Sequence, residues 1–136
     1  MSGAANAPAR VWLPWAFLGV VLVNFWNSWC IPCQQEHAAL AEFYALHRND
    51  GDFAMVGIVR DDELKPIRDY VAENGVDWPV AFDPKGSAGL GFGTTGQPET
   101  YVISPEGVAA CGTLGPASVA ELEIWLRAAR AGGTCA

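Results

Sequence analysis

The stretch Leu18-Gly19-Val20-Val21-Leu22-Val23-Asn24-Phe25-Trp26-Asn27-Ser28-Trp29-Cys30-Ile31-Pro32-Cys33 decides the fold. Residues 18–26 form a continuous apolar run rich in β-branched side chains, which is how a strand covered on both faces of a sheet reads. From Pro32 onward the pattern becomes helical: Ala38, Leu40, Ala41, Tyr44 and Ala45 recur at three- and four-residue steps, until Asn49-Asp50-Gly51 ends the element. Cys30 therefore stands at a strand-to-helix junction. Unpaired backbone N–H groups and the helix dipole favour an anion there. Such a setting lowers a cysteine pKa from about 8.5 into a range of roughly 3.5–7.5, and the thiolate is the form that attacks a disulfide. Cys33 follows about one turn later, and Pro32 is tolerated in a first turn that needs no donor from it.

Working outward, residues 53–59 (FAMVGIV) give a second buried strand, and Asp61-Asp62-Glu63 opens a helix running to about Glu73. Residues 78–82 (WPVAF) predict a short strand, residues 85–90 a single helical turn, and Gly89, Gly91, Gly93 and Gly96 a loop. Residues 99–103 and 107–111 predict a β-hairpin. Ser118 predicts the N-cap of a last helix to Arg130, with Glu121 completing a capping box. The order β-α-β-α-β, hairpin, α implies a parallel core with right-handed crossovers and antiparallel strands at one edge, an α/β fold. Residues 1–9 read as a disordered tail, residues 10–131 as one domain and residues 132–136 as a C-terminal tail.

Bulk properties narrow the function. The 136 residues suit one core, and half of them are hydrophobic. Eight Lys plus Arg against fifteen Asp plus Glu give a net charge of −7, with no basic cluster, which argues against a nucleic-acid partner. The apolar stretch of residues 11–23 is interrupted by Pro14 and Gly19 and falls short of the roughly 20 residues a membrane span needs. No small-residue cleavage site follows it, so an export signal or anchor is expected to lie outside this sequence. The glycine-rich stretch neither follows a strand nor opens a helix and is no phosphate loop.

Four cysteines occur, at positions 30, 33, 111 and 135. One C-x-x-C pair in an α/β chain reads as a redox motif rather than a disulfide scaffold or a zinc site. A last helix of roughly 20 Å is expected to separate Cys111 from Cys135, so these two are expected not to bridge. Cys111 then serves as a small core residue, and Cys135 as an exposed thiol prone to linking two copies. Trp29 is expected to rim a docking surface, and Trp12, Trp15, Trp26, Trp78 and Trp125 to be core.

Residues 21–33 (VLVNFWNSWCIPC), followed by Gln34-Gln35-Glu36, resemble the active-site segment of the TlpA-like thioredoxin-like proteins. Residues 96–103 (GQPETYVI) are similar to that family's cis-proline loop, and Glu99 after Pro98 points to the CcmG/ResA-type reductases of cytochrome c maturation. The resemblance spans about residues 18–130. It implies a thioredoxin fold, a central mixed β-sheet flanked by helices on both faces. It also implies an extracytoplasmic location, a membrane-anchored full-length protein, an upstream membrane electron donor, and no cofactor. Its substrate would be a disulfide-containing protein, apocytochrome c or a thiol carrier.

Cys30 and Cys33 are then the catalytic redox-active disulfide. Pro98 is expected to be cis, with Gln97 pairing a substrate strand by β-addition and Trp29 beside it. Asn24 stands where cytosolic thioredoxins have an aspartate, so the acceptor for the Cys33 proton is sought among Asp61, Asp62, Glu36 and Glu99. Asp61 and Asp62 follow the second strand and are expected near the cysteines. Gln97 departs from a position often apolar in relatives, and little room remains for the family's longer N-terminal β-hairpin. Two alternatives stay open: an exported disulfide oxidase of the same fold, and a copper- or zinc-binding module using Cys30, Cys33 and His37.

Overall fold

The computed structural model describes residues 19–135. The first-tail expectation and the core placements of Trp12 and Trp15 lie outside them. Five strands form one sheet in the order β3-β2-β1-β4-β5. They are β1 (Val20–Trp26), β2 (Phe53–Arg60), β3 (Val80–Asp83), β4 (Glu99–Ile103) and β5 (Ala109–Leu114). Helices α1 (Ile31–His47), α2 (Leu64–Asn74), α3 (Ser87–Phe92) and α4 (Val119–Arg130) complete the chain. β1, β2 and β3 run parallel, while β4 and β5 are antiparallel. This is the expected thioredoxin fold.

Two successive crossovers, β1-α1-β2 and β2-α2-β3, step in the same direction across the sheet. Right-handedness therefore places α1 and α2 on one face. Trp26 shows it directly, with its ring 5.2 Å from His37 of α1 and 5.2 Å from Tyr70 of α2. The next residue back, Phe25, points the other way and meets Phe92 of α3 at 5.4 Å. Helices thus cover both faces. The main core joins Val20, Leu22, Leu40, Phe43, Leu122 and Leu126, tying α1 and α4 to β1. The capping box of α4 forms as expected, with Ser118 accepting from Glu121 N–H and Glu121 reaching back to Ser118 N–H.

Three expectations fail: Gly89 and Gly91, expected in a loop, lie inside α3, and the last strand and the outer cysteines also differ. The last strand begins at Ala109 and continues to Leu114, three residues past the expected end. A register irregularity between Val102 and Ile103 moves the pairing, and Gly112-Thr113 conceals the continuation. Cys111 and Cys135 do form a disulfide, with Cα atoms 5.0 Å apart. From Cys111 the strand runs on to Leu114, about 10 Å at about 3.3 Å per residue, and the turn to Ser118 follows before α4 begins. The 12 residues of α4 then return roughly 18 Å at about 1.5 Å each. Strand and turn carry the chain outward, and the helix carries it back. Gly132, at φ +74°, turns the chain back so that Cys135 N–H donates to Ala110 C=O at 3.0 Å. Cys111 is buried as expected, but Cys135 is a half-buried bridge partner rather than an exposed free thiol.

Candidate active site

Cys30 is the N-cap of α1. Its carbonyl accepts from Gln34 N–H at 3.1 Å, and the backbone N–H of Cys33 donates to its Sγ at 3.2 Å. An orphan donor of the first helical turn is thereby aimed at the sulfur, which favours a thiolate once the pair is reduced. Cys30 and Cys33 are joined by a disulfide with Cα atoms 5.2 Å apart. Both are buried, yet their flanking neighbours Trp29 and Ile31 are 56% and 59% exposed, an apolar rim around the pair.

The Gln97–Pro98 peptide bond is cis, as the resemblance implies. The Gln97 carbonyl oxygen lies 3.7 Å from Cys30 Sγ. A disulfide sulfur carries no proton, so this is a packing contact that leaves the carbonyl available to an incoming N–H group. Pro98 C=O accepts from Gly115 N–H at 2.8 Å, which fixes the far side of the loop to the end of β5.

The four candidate acids separate clearly. Glu36 is 2% exposed and stands three residues after Cys33, on the same face of α1. Its carboxylate accepts from Ala117 N–H at 2.7 Å and from Asn24 Nδ2 at 3.0 Å, and Asn24 also donates to Thr100 Oγ1 at 3.0 Å. The register pairs Asn24 with Thr100 directly across β1 and β4, so their side chains share that face. Burial pushes the Glu36 carboxyl up to about 7, against the pull of the Ala117 and Asn24 hydrogen bonds. A group that titrates there suits proton transfer near neutrality.

Glu99 pairs with Phe25, and therefore lies on the α3 face, opposite Glu36. Burial raises its pKa, but hydrogen bonds from Tyr101, Thr95 and Gly96 outweigh that and hold the carboxyl below its usual range. Asp61 and Asp62 do lie beside the cysteine loop. Asp62 Oδ2 accepts from Ser28 N–H at 2.6 Å, and the Asp61 carbonyl accepts from Trp29 Nε1 at 2.9 Å. Asp61 adopts φ +57°, an uncommon conformation for a residue other than glycine. The Asp62 carboxylate and the Asp61 backbone carbonyl brace the segment that leads into Cys30.

His37 packs into an aromatic cluster. Its ring stacks on Tyr70, meets Trp26 and Trp78, and its Nδ1 is 2.6 Å from Tyr70 Oη. Burial lowers its pKa to about 4, so it is neutral at physiological pH. Sequence reading missed Thr100 and Ala117. Neither residue type signals chemistry, and only the sheet register and the α4 turn bring them to Glu36.

The Redoxin family matches residues 17–122 of this chain. The thiol:disulfide interchange protein DsbE homolog of Paracoccus denitrificans is 35% identical over 77% of this chain and 58% of its own length. ResA of Bacillus thuringiensis (strain Al Hakam), a thiol-disulfide oxidoreductase, is 28% identical over 79% of this chain and 61% of its own. This chain thus spans about three fifths of the length of these two relatives. Among solved structures, a thioredoxin-family thiol:disulfide interchange protein from Chlorobium tepidum TLS superposes with a TM-score of 0.74 at 27% identity. That match covers 83% of this chain and 81% of the other. The family match and the sequence similarity agree, and the chain belongs to the Redoxin family, among relatives that carry the DsbE and ResA names.

Proposed function

We propose that this chain is a thiol–disulfide oxidoreductase acting outside the cytoplasm, in the reducing direction, on disulfide-bonded polypeptides. The observation that carries this is the Cys30–Cys33 pair at the mouth of α1, with the Gln97 carbonyl 3.7 Å from Cys30 Sγ. In the reduced protein the Cys30 thiolate attacks a substrate disulfide, forms a mixed disulfide and expels one substrate thiolate. Cys33 passes its proton to Glu36 and attacks Cys30 Sγ. The second substrate thiolate leaves, two electrons have passed to the substrate, and Cys30–Cys33 is oxidised.

The Asp62 carboxylate and the Asp61 carbonyl hold the Ser28–Trp29 segment ahead of Cys30 by the contacts above, and Gln97 offers its carbonyl to a substrate N–H. The names of the relatives support the exchange chemistry. The motif resemblance supports a client of the cytochrome c maturation type, a membrane electron donor and a membrane-anchored full-length protein. Among the described residues no helix is long and apolar enough to cross a membrane.

The test is the reduction of insulin by the dithiol form, together with the Cys30–Cys33 potential. A potential near about −270 mV fits a reductant, and one near about −120 mV would assign the oxidising direction. No exchange with insulin would overturn the activity itself.

A further inference from the structure

The geometry points to Glu99 and Tyr101 as a latch that positions the Gln97–Pro98 loop for a polypeptide substrate, an inference that rests on the oxidoreductase reading above. Glu99 is 4% exposed and lies on the sheet face away from Glu36, so the proton path to Cys33 does not use it. It is nevertheless saturated with donors. Oε2 accepts from Thr95 N–H at 2.6 Å, Gly96 N–H at 2.9 Å and Thr95 Oγ1 at 3.3 Å. All three donors belong to the two residues preceding Gln97.

The other oxygen, Oε1, accepts from Tyr101 Oη at 2.5 Å. Tyr101 is two residues further along β4, so the two side chains project from the same face. Its ring is pinned between Phe25 at 6.3 Å and Phe92 at 5.2 Å. Gly112 opposite admits it, since a Cβ there would come within 2.9 Å of Tyr101 Cδ1. Burial, followed by the Glu99 carboxylate, raises the Tyr101 hydroxyl to about 12, so it stays a donor throughout the physiological range. A carboxylate held by a fixed phenol thus fixes the loop from the N-terminal side. The Gly115–Pro98 hydrogen bond fixes it from the other. What this holds in place is the direction of the Gln97 carbonyl, the backbone group a substrate strand would pair with. Glu99 and Tyr101 touch neither the sulfurs nor that carbonyl, and act through the loop as positioning residues.

Two disulfides separate this role from others: insulin has a backbone to pair with Gln97, and hydroxyethyl disulfide has none. Removing the hydroxyl in Tyr101→Phe, which keeps the ring, should raise KM for insulin about tenfold, as expected for loss of one hydrogen bond to a charged group. The change in kcat should be much smaller, and the insulin preference over hydroxyethyl disulfide should fall by the same factor. Glu99→Ala should lower that preference further, and Glu99→Gln, which keeps an acceptor oxygen, should lower it less. Equal losses on both disulfides, a loss confined to kcat, or no loss in Tyr101→Phe would overturn the latch. A parent protein inert toward both disulfides would overturn the oxidoreductase reading instead.

Discussion

Burial pushes the Glu36 carboxyl up to about 7, well above the ordinary carboxylate value of 4.5, and this has two separable consequences. The first is kinetic. Below about 7 Glu36 is protonated and cannot accept from Cys33. Resolution of the mixed disulfide should therefore rise with pH through an inflection near 7, and Glu36→Gln should abolish that inflection and slow resolution at pH 7 by roughly 100-fold. Stopped-flow measurement of mixed-disulfide decay checks this, and an unchanged profile would move the role to Asp61 or Asp62. The second is thermodynamic. A carboxyl whose folded pKa is raised binds more protons in the native state, so its contribution to stability is largest below about 4.5 and is lost as pH rises toward 7. The loss is at most roughly 3 kcal/mol, and urea midpoints of Glu36→Gln should show a flatter slope across that window. Glu36 was visible in the sequence only as one acid among four. Nothing in a linear pattern says which carboxylate loses its water, because that depends on Asn24, Thr100 and Ala117 arriving from three other segments.

Helix α1 is anchored at both ends by polar chemistry on an otherwise apolar face. At its C-terminal end His47 bonds Asp50 through Nδ1 at 2.8 Å and Glu123 of α4 through Nε2 at 2.8 Å. Desolvation lowers the His47 pKa, but these two carboxylates outweigh it and leave it raised. A raised histidine stabilises fully below its unfolded value of about 6.5, and the gain fades as pH climbs through the folded pKa. Glu123→Gln should therefore cost up to about 1 kcal/mol at pH 5.5 and almost nothing at pH 9, read from thermal melts at the two pH values. At the strand level, β2 carries Gly57 under two indoles, where a Cβ would come within 2.7 Å of Trp26 Nε1 and 3.3 Å of Trp78 Nε1. Gly57→Ala should cost about 1–3 kcal/mol by overpacking, measured by urea unfolding. The β1–α1 junction was legible because its apolar run gives way abruptly to three- and four-residue steps. The end of β5 was not, since Gly112 reads as a turn. It is a glycine for want of space, with a Cβ there only 2.9 Å from both Thr100 O and Tyr101 Cδ1.

Across the whole molecule, that misplaced strand end carried through to the second disulfide. With β5 stopped at Cys111, α4 would carry Cys135 far away. With β5 running on to Leu114, strand and turn carry the chain outward before α4 brings it back, and the two cysteines meet. The bridge spans a sequence separation of 24 residues and joins the C-terminal segment to the sheet edge. Replacing both cysteines by Ser should cost about 3 kcal/mol in denaturant unfolding while leaving insulin reduction intact. The architecture as a whole was readable because alternating strands and helices leave few topologies once crossovers must be right-handed. The central claim, that Cys30 attacks and Cys33 resolves, is tested most directly by trapping. Each single Ser variant, reduced and mixed with a disulfide-bonded polypeptide at pH 7, is examined by non-reducing mass spectrometry. Cys33→Ser should accumulate a mixed disulfide through Cys30, and Cys30→Ser should accumulate none; adducts formed only by Cys30→Ser would contradict the account.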